Sequence, residues 1–291
     1  MSGSWRDTSW LLLLSVLIPV CCHLLCYRRF RWGLIRQGLV RRNYRNKRIP
    51  TSGGMLLASA ATLAMLIVTS LGWLTGGIVV DGPTFLLFCC GSLIMLLLGW
   101  QDDRANDGSN KGFRGHLHAF WSERRLTSGL VKCVGGGLTA LLLSIALSQG
   151  VEEVLVHAGL LALFSNLINL FDLRPTRALK AFWLSAAALL TTVPSLLFSP
   201  AVWVWILPVM TASILFFGPD ARGQMMLGDA GANYLGFLLG FGSLLVLPFT
   251  AKAAVLIVLI VLHLLAEMIS FTRIIEAVPL LRRLDEWGRP V

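Results

Sequence analysis

Residues 83–104 read PTFLLFCCGSLIMLLLGWQDDR. The run is apolar as far as Trp100, about the 20 residues a helix needs to cross a bilayer core, and it stops on two adjacent carboxylates, Asp102 and Asp103. Neighbouring acids repel each other and are costly beside hydrocarbon unless a cation neutralises them. The stretch therefore reads as a membrane helix that delivers paired acids to a polar interface.

Similar runs recur on both sides of it. Hydropathy places spans at 9–27, 53–74, 83–100, 128–147, 154–171, 179–198, 201–217, 231–249 and 252–271. The expected fold is all-α: a polytopic membrane helical bundle of about nine transmembrane helices, forming one domain over residues 1–291. Composition agrees, since 56% of residues are hydrophobic and 14% charged, where soluble domains carry roughly a quarter charged residues. The run from Trp10 to Tyr27 is followed by basic residues, with no small-residue cleavage site, so it reads as a retained span. Cys21, Cys22, Cys26, Cys89, Cys90 and Cys133 lie in or beside apolar segments, without zinc-ligand spacing or a disulfide framework.

The charges sort by loop. Arg28, Arg29, Arg31, Arg36, Arg41, Arg42, Arg45, Lys47 and Arg48 follow the first span with no acid among them, which marks a cytoplasmic loop. Alternation puts the segments around 101–127, 171–180, 218–230 and 272–291 on that same side, and leaves Arg6 and Lys252 as the basic residues opposite. The N-terminus is then expected outside and the C-terminus in the cytoplasm. The net charge of +10 serves topology and anionic headgroups, and no nucleic-acid partner is expected.

Four constellations fall at span ends on that side. Gly99 to Arg104 carries Asp102 and Asp103. Asn166, Asn169 and Asp172 recur every third position and so share one helix side, lining a site or joining helices. Gly228-Asp229-Ala230-Gly231 places an acid at a helix start, where exposed amides favour phosphate and a carboxylate suits Mg²⁺. Arg48-Ile-Pro-Thr51-Ser-Gly-Gly54 is a turn with hydroxyls and free amides, and Lys47 and Arg48 stand beside it to meet a ligand.

In this order, the motifs resemble those of the polyprenyl-phosphate N-acetylhexosamine-1-phosphate transferase family, over about Arg48 to Gly288. The Pro50–Gly54 turn resembles the family's PTxGG, Gly99–Asp103 its GxxDD, Asn166–Asp172 the start of its NxxNxxDGxDGLA, and Gly228–Gly231 its GDxG. Lys111 and Lys132 are similar to its basic positions, and Glu267 to the acidic start of its ninth span. The chain departs from the family in two places. Pro175 stands where the second aspartate of DGxDGLA falls, with Leu173 and Thr176 in place of glycines. Pro279 to Asp285 replaces a histidine-rich stretch, and no residues remain for a tenth span.

The resemblance implies transfer of a sugar-1-phosphate from a UDP-linked N-acetylhexosamine to polyprenyl phosphate, with release of UMP and a Mg²⁺ cofactor. It also implies a plasma-membrane enzyme with a cytoplasmic active site, and a homodimer is compatible with it. Asp229 is the first expected metal ligand and Asp172 the second, while Asp102 or Asp103 would position or deprotonate the lipid phosphate. Lys47, Arg48, Thr51, Lys111, Lys132, Asn166, Asn169, Arg282 and Arg283 are the expected substrate contacts, the last two in place of the histidines.

His116 and His118 lie in the second cytoplasmic loop without a paired acid, and His23, His157 and His263 read as structural. The alternative is an inactive relative that keeps the scaffold and binds lipid phosphate or a cell-wall enzyme. A transporter ranks last, because among the ionisable groups Glu267 alone approaches mid-membrane.

Overall fold

A computed structural model of the chain describes residues 5–76, 81–105, 124 and 127–289. Eight of its helices are long and apolar enough to cross a membrane: α1 (Trp5–Arg36), α2 (Gly54–Thr75), α3 (Gly82–Arg104), α4 (Ser128–Leu147), α5 (Val151–Phe171), α7 (Pro200–Ala221), α8 (Gly228–Val246) and α9 (Phe249–Met268). Between α5 and α7 lies α6 (Arg177–Thr192), and after α9 come two short helices, α10 (Phe271–Ala277) and α11 (Pro279–Glu286).

One sequence expectation changes. The span expected at 179–198 is broken: α6 ends at Thr192 and a 3₁₀ turn runs from Pro194 to Phe198. Pro194 lacks an N–H and disfavours helical backbone at Val193, whose φ and ψ are −129° and 80°. The 16 residues of α6 make about 24 Å of helix, less than the roughly 30 Å of a hydrocarbon core. The helical bundle also carries one element that the sequence reading did not contain, a hairpin in which β1 (Val40–Arg42) pairs antiparallel with β2 (Arg48–Pro50), Val40 opposite Pro50 and Arg42 opposite Arg48. Asn43 Oδ1 closes this hairpin by accepting from the backbone N–H groups of Arg45 and Lys47.

α8 is the axis of the bundle, and small residues let its neighbours reach it. A Cβ at Gly54 on α2 would run into the Gly231 backbone, one at Gly99 on α3 into Asp229 and Ala230, and one at Gly236 into Phe164 and Ser165 of α5. Such backbone approaches are how helices associate where the solvent is itself apolar. Farther along α8, Phe237 and Phe241 pack with Phe88, which also meets Trp205. α9 packs beside α5 and leaves Ile257, Val258, Val261 and Leu264 exposed, as a lipid-facing helix does.

One end of the bundle gathers the C-terminal ends of α3, α5 and α7 with the N-terminal ends of α2, α4, α6 and α8. Contacts of Lys132 with Asp229, Asp172 with Gly228, and Asp220 with Thr176 tie these ends together. At the other end His157 of α5 bridges Ser148, past α4, and Lys252 at the start of α9. α6 and its 3₁₀ turn thus return the chain from the first end to the start of α7.

Gly54→Val is expected to lower stability by about 1–3 kcal/mol, since the added atoms meet backbone that cannot swing aside. Thermal unfolding in detergent checks this. A variant as stable as the parent would show that the α2–α8 approach carries no constraint.

Candidate active site

The gathered helix ends form a carboxylate-lined cleft. Asp103, in the last turn of α3, is 4% exposed and fully engaged. Its Oδ1 accepts from Thr51 Oγ1 (3.3 Å) and Asp229 N (3.1 Å), and its Oδ2 from Ser52 Oγ (2.7 Å) and Ala230 N (3.2 Å). This carboxylate caps the N-terminus of α8, where a negative charge meets the positive end of the helix dipole, and ties the 51–54 turn to it. Arg41 of β1 closes the same α3 terminus, its Nη2 donating to the carbonyls of Asp102, Asp103 and Ala105 at 2.9, 3.1 and 2.9 Å.

Asp102 faces α4. Ser128 Oγ donates to its Oδ1 at 2.5 Å, and Lys132 Nζ lies 2.6 Å from its Oδ2. The same ammonium lies 2.6 Å from Asp229 Oδ2. The Asn169 amide, oriented by this network, donates to Asp229 Oδ1 (2.9 Å) and accepts from Lys132 Nζ (3.1 Å). Asp102, Asp229, Lys132 and Asn169 are therefore one connected group drawn from α3, α8, α4 and α5.

Beyond it stand Asp172, just past α5, and Asp220, near the end of α7. Asp172 Oδ2 accepts from Gly228 N at 3.0 Å, and Asp220 Oδ2 from Thr176 N at 2.6 Å. Among the described residues neither acid has an ion pair. Burial, and then the negative charges of Asp220, Asp229 and Asp103, push the Asp172 carboxyl well above its ordinary range, against the Gly228 hydrogen bond that lowers it.

Asp103, Asp172, Asp220 and Asp229 line a cleft of about 120 Å³ together with Thr51, Gly228 and, from the hairpin, Arg41, Asn43 and Tyr44. No group of three His, Cys, Asp or Glu among the described residues is arranged to enclose a metal alone. The donor chemistry fits Mg²⁺ nonetheless, because this ion is commonly held by one or two carboxylates plus substrate phosphates and water. Asp172 and Asp229 would be those carboxylates, both on the wall of the cleft.

Of the expected site residues, Asp102, Asp103, Asp172, Asp229, Thr51, Lys132 and Asn169 come together. Lys47 and Arg48 do not line the cleft: both are exposed on the hairpin arm opposite Arg41 and Arg42, where Lys47 bonds Asn43 through its backbone. Asn166 is exposed one turn before Asn169. Arg282 and Arg283 are exposed on α11, which turns Asp285 inward instead. Arg177 grips Asp285 with both prongs, Nε to Oδ1 and Nη2 to Oδ2 at 2.8 Å each, and Arg289 Nη2 adds a contact at 2.6 Å. These two guanidiniums hold the Asp285 carboxyl below its ordinary range although burial opposes them. Lys111, His116 and His118 lie outside the described residues.

Asp220, Arg41, Asn43, Tyr44 and Ser128 are among the site residues that the sequence reading missed. The signal for Asp220 is its place between an apolar run and the Gly228–Gly231 motif, in a segment already assigned to the motif side.

The chain matches no protein-family model and no curated protein.

Proposed function

We propose that this chain transfers a sugar-1-phosphate from a UDP-linked N-acetylhexosamine to polyprenyl phosphate, releasing UMP at the cytoplasmic face of the plasma membrane. The observation that carries the reading is the convergence of Asp102 and Asp229 on Lys132 and Asn169, with Asp172 on the same cleft as Asp229, acids from separate segments of the sequence at one end of a membrane bundle. The basic residues of α1 and the hairpin belong to the same end, which supports a cytoplasmic orientation.

In the proposed reaction an oxygen of the lipid phosphate attacks the sugar-bearing phosphorus of the donor. The bond from that phosphorus to the oxygen bridging to the uridylyl phosphate breaks, and UMP leaves with the bridging oxygen. Bound Mg²⁺ would offset repulsion between the phosphates and the charge on the leaving group. Asp172 and Asp229 would hold the ion. Lys132 bridges Asp102 and Asp229, which also lie within hydrogen-bond reach of each other, and would supply positive charge beside the reacting phosphates. Asp103 positions, since its oxygens are all engaged in holding α8 and the 51–54 turn. Asp102, partnered by Ser128 and Lys132, would orient the lipid phosphate.

One observation favours a second reading, an inactive scaffold: Lys132 alone already pairs with both Asp102 and Asp229. Purified protein with Mg²⁺, polyprenyl phosphate and a panel of UDP-N-acetylhexosamines separates the two. UMP release that requires lipid phosphate and stops with a chelator is expected. No turnover with any donor, in a sample shown to be folded, supports the scaffold.

A further inference from the structure

α11 follows the last membrane-crossing helix by way of α10, and it is strongly two-sided. At 100° per residue Leu280, Leu284 and Trp287 fall together with Leu281 next to them, while Arg282, Arg283, Asp285 and Glu286 occupy the rest of the circumference. The apolar side is bare: Leu280 is 66%, Leu284 52% and Trp287 64% exposed.

Its polar side is partly used. Asp285 is held by Arg177 and Arg289, and Lys180 Nζ donates to the carbonyls of Leu284, Asp285 and Trp287 at 2.9, 2.8 and 2.6 Å. Arg177 and Lys180 belong to the first turn of α6, so these bonds fix α11 at the level where the bundle's helices end on the cleft side. Trp287 also leans on Phe217 of α7, with ring centroids 5.6 Å apart.

We propose that α11 lies in the headgroup layer of the leaflet on the cleft side, with Leu280, Leu284 and Trp287 among the acyl chains, Arg283 on anionic lipid phosphates and Arg282 on the aqueous side above them. Three observations choose a lipid surface over another partner. The helix is joined to a membrane-crossing helix by a seven-residue connecting helix. Its height is set by the ends of helices that cross the bilayer. Its exposed Arg283 borders the leucine face and its exposed Arg282 lies opposite, toward water, an order of apolar and charged groups found on helices that rest in an interface. The surface does not depend on the chemistry assigned to the cleft, but it is clamped to Arg177, the residue after Thr176, whose N–H holds Asp220.

The test uses the full chain in nanodiscs of phosphatidylcholine alone and of phosphatidylcholine with about one third phosphatidylglycerol, following hydrogen exchange of residues 279–289. Each basic residue near an anionic surface adds attraction, so exchange is expected to be about fivefold slower or more with phosphatidylglycerol. The difference should shrink at high salt and disappear in the R282Q/R283Q variant. Equal exchange in the two lipid mixtures overturns the proposal without recourse to any variant. Quenching by brominated lipids that is lost in Trp287→Phe supports it, and absence of that component in both mixtures also overturns it.

Discussion

Asp229→Asn is expected to lower UMP release by at least about a hundredfold, the scale of losing a preorganised electrostatic contact to reacting phosphate, while the protein unfolds at nearly the parent temperature. The variant keeps the size of the side chain and a carbonyl oxygen for Lys132. It removes one negative charge from a cleft that Asp103, Asp172 and Asp220 also line. Lys132 still pairs with Asp102 at 2.6 Å, so no buried cation is stranded. Mg²⁺ titration of the residual rate should show weakened dependence on the ion. Parent-like turnover with unchanged Mg²⁺ response would remove Asp229 from the metal site and, with it, the proposed arrangement for transfer.

The acid that caps α8 should behave the other way. Asp103→Ala is expected to cost about 3–5 kcal/mol of stability, because hydrogen bonds to a buried charged group are worth roughly 1.5–3 kcal/mol and do not simply add. The two amides at the start of α8 and the hydroxyls of Thr51 and Ser52 all lose their acceptor. Fluorescence-monitored unfolding in mixed micelles measures the loss, and a change under about 1 kcal/mol would refute the capping role. Comparing the two variants separates an acid that acts on substrate from one that holds the frame.

Much of this architecture was legible from hydropathy because apolar length is a property of the chain itself. The limits were less so. α1 continues from Tyr27 to Arg36 although its apolar stretch stops, since arginine propagates a helix that is already formed. α6 stops early at Val193 because the proline that follows outweighs an apolar composition.

In the site, local spacing marked Asp102, Asp103, Asp172 and Asp229, and three-residue periodicity marked both Asn166 and Asn169. Only the packing of α5 against α4 and α8 shows that Asn169 is the one that reaches Lys132. Basic residues were harder to place, because a long side chain goes where its partner is. Arg41 turns to the end of α3, and Arg177 and Arg289 claim Asp285, while Arg282 and Arg283 face outward. Asp220 belongs to no motif, and its one signal is its place after an apolar run on the motif side. Its place in the cleft is set by where the end of α7 meets the start of α6.

The backbone approaches of Gly54, Gly99 and Gly236 fasten α2, α3 and α5 to one axle, and Asp102, Asp103, Asp172 and Asp229 sit on or immediately beside the fastened parts. Asp220 stands on a separate post, α7, which does not run packed along α8. A chamber built this way has one wall set by backbone against backbone and another set by a side chain on a single amide, Thr176 N–H to Asp220. If the proposed donor enters it, the spacing among the carboxylates on the axle is the one that rigid contact defends, and the distance from Asp220 to them is not defended in that way.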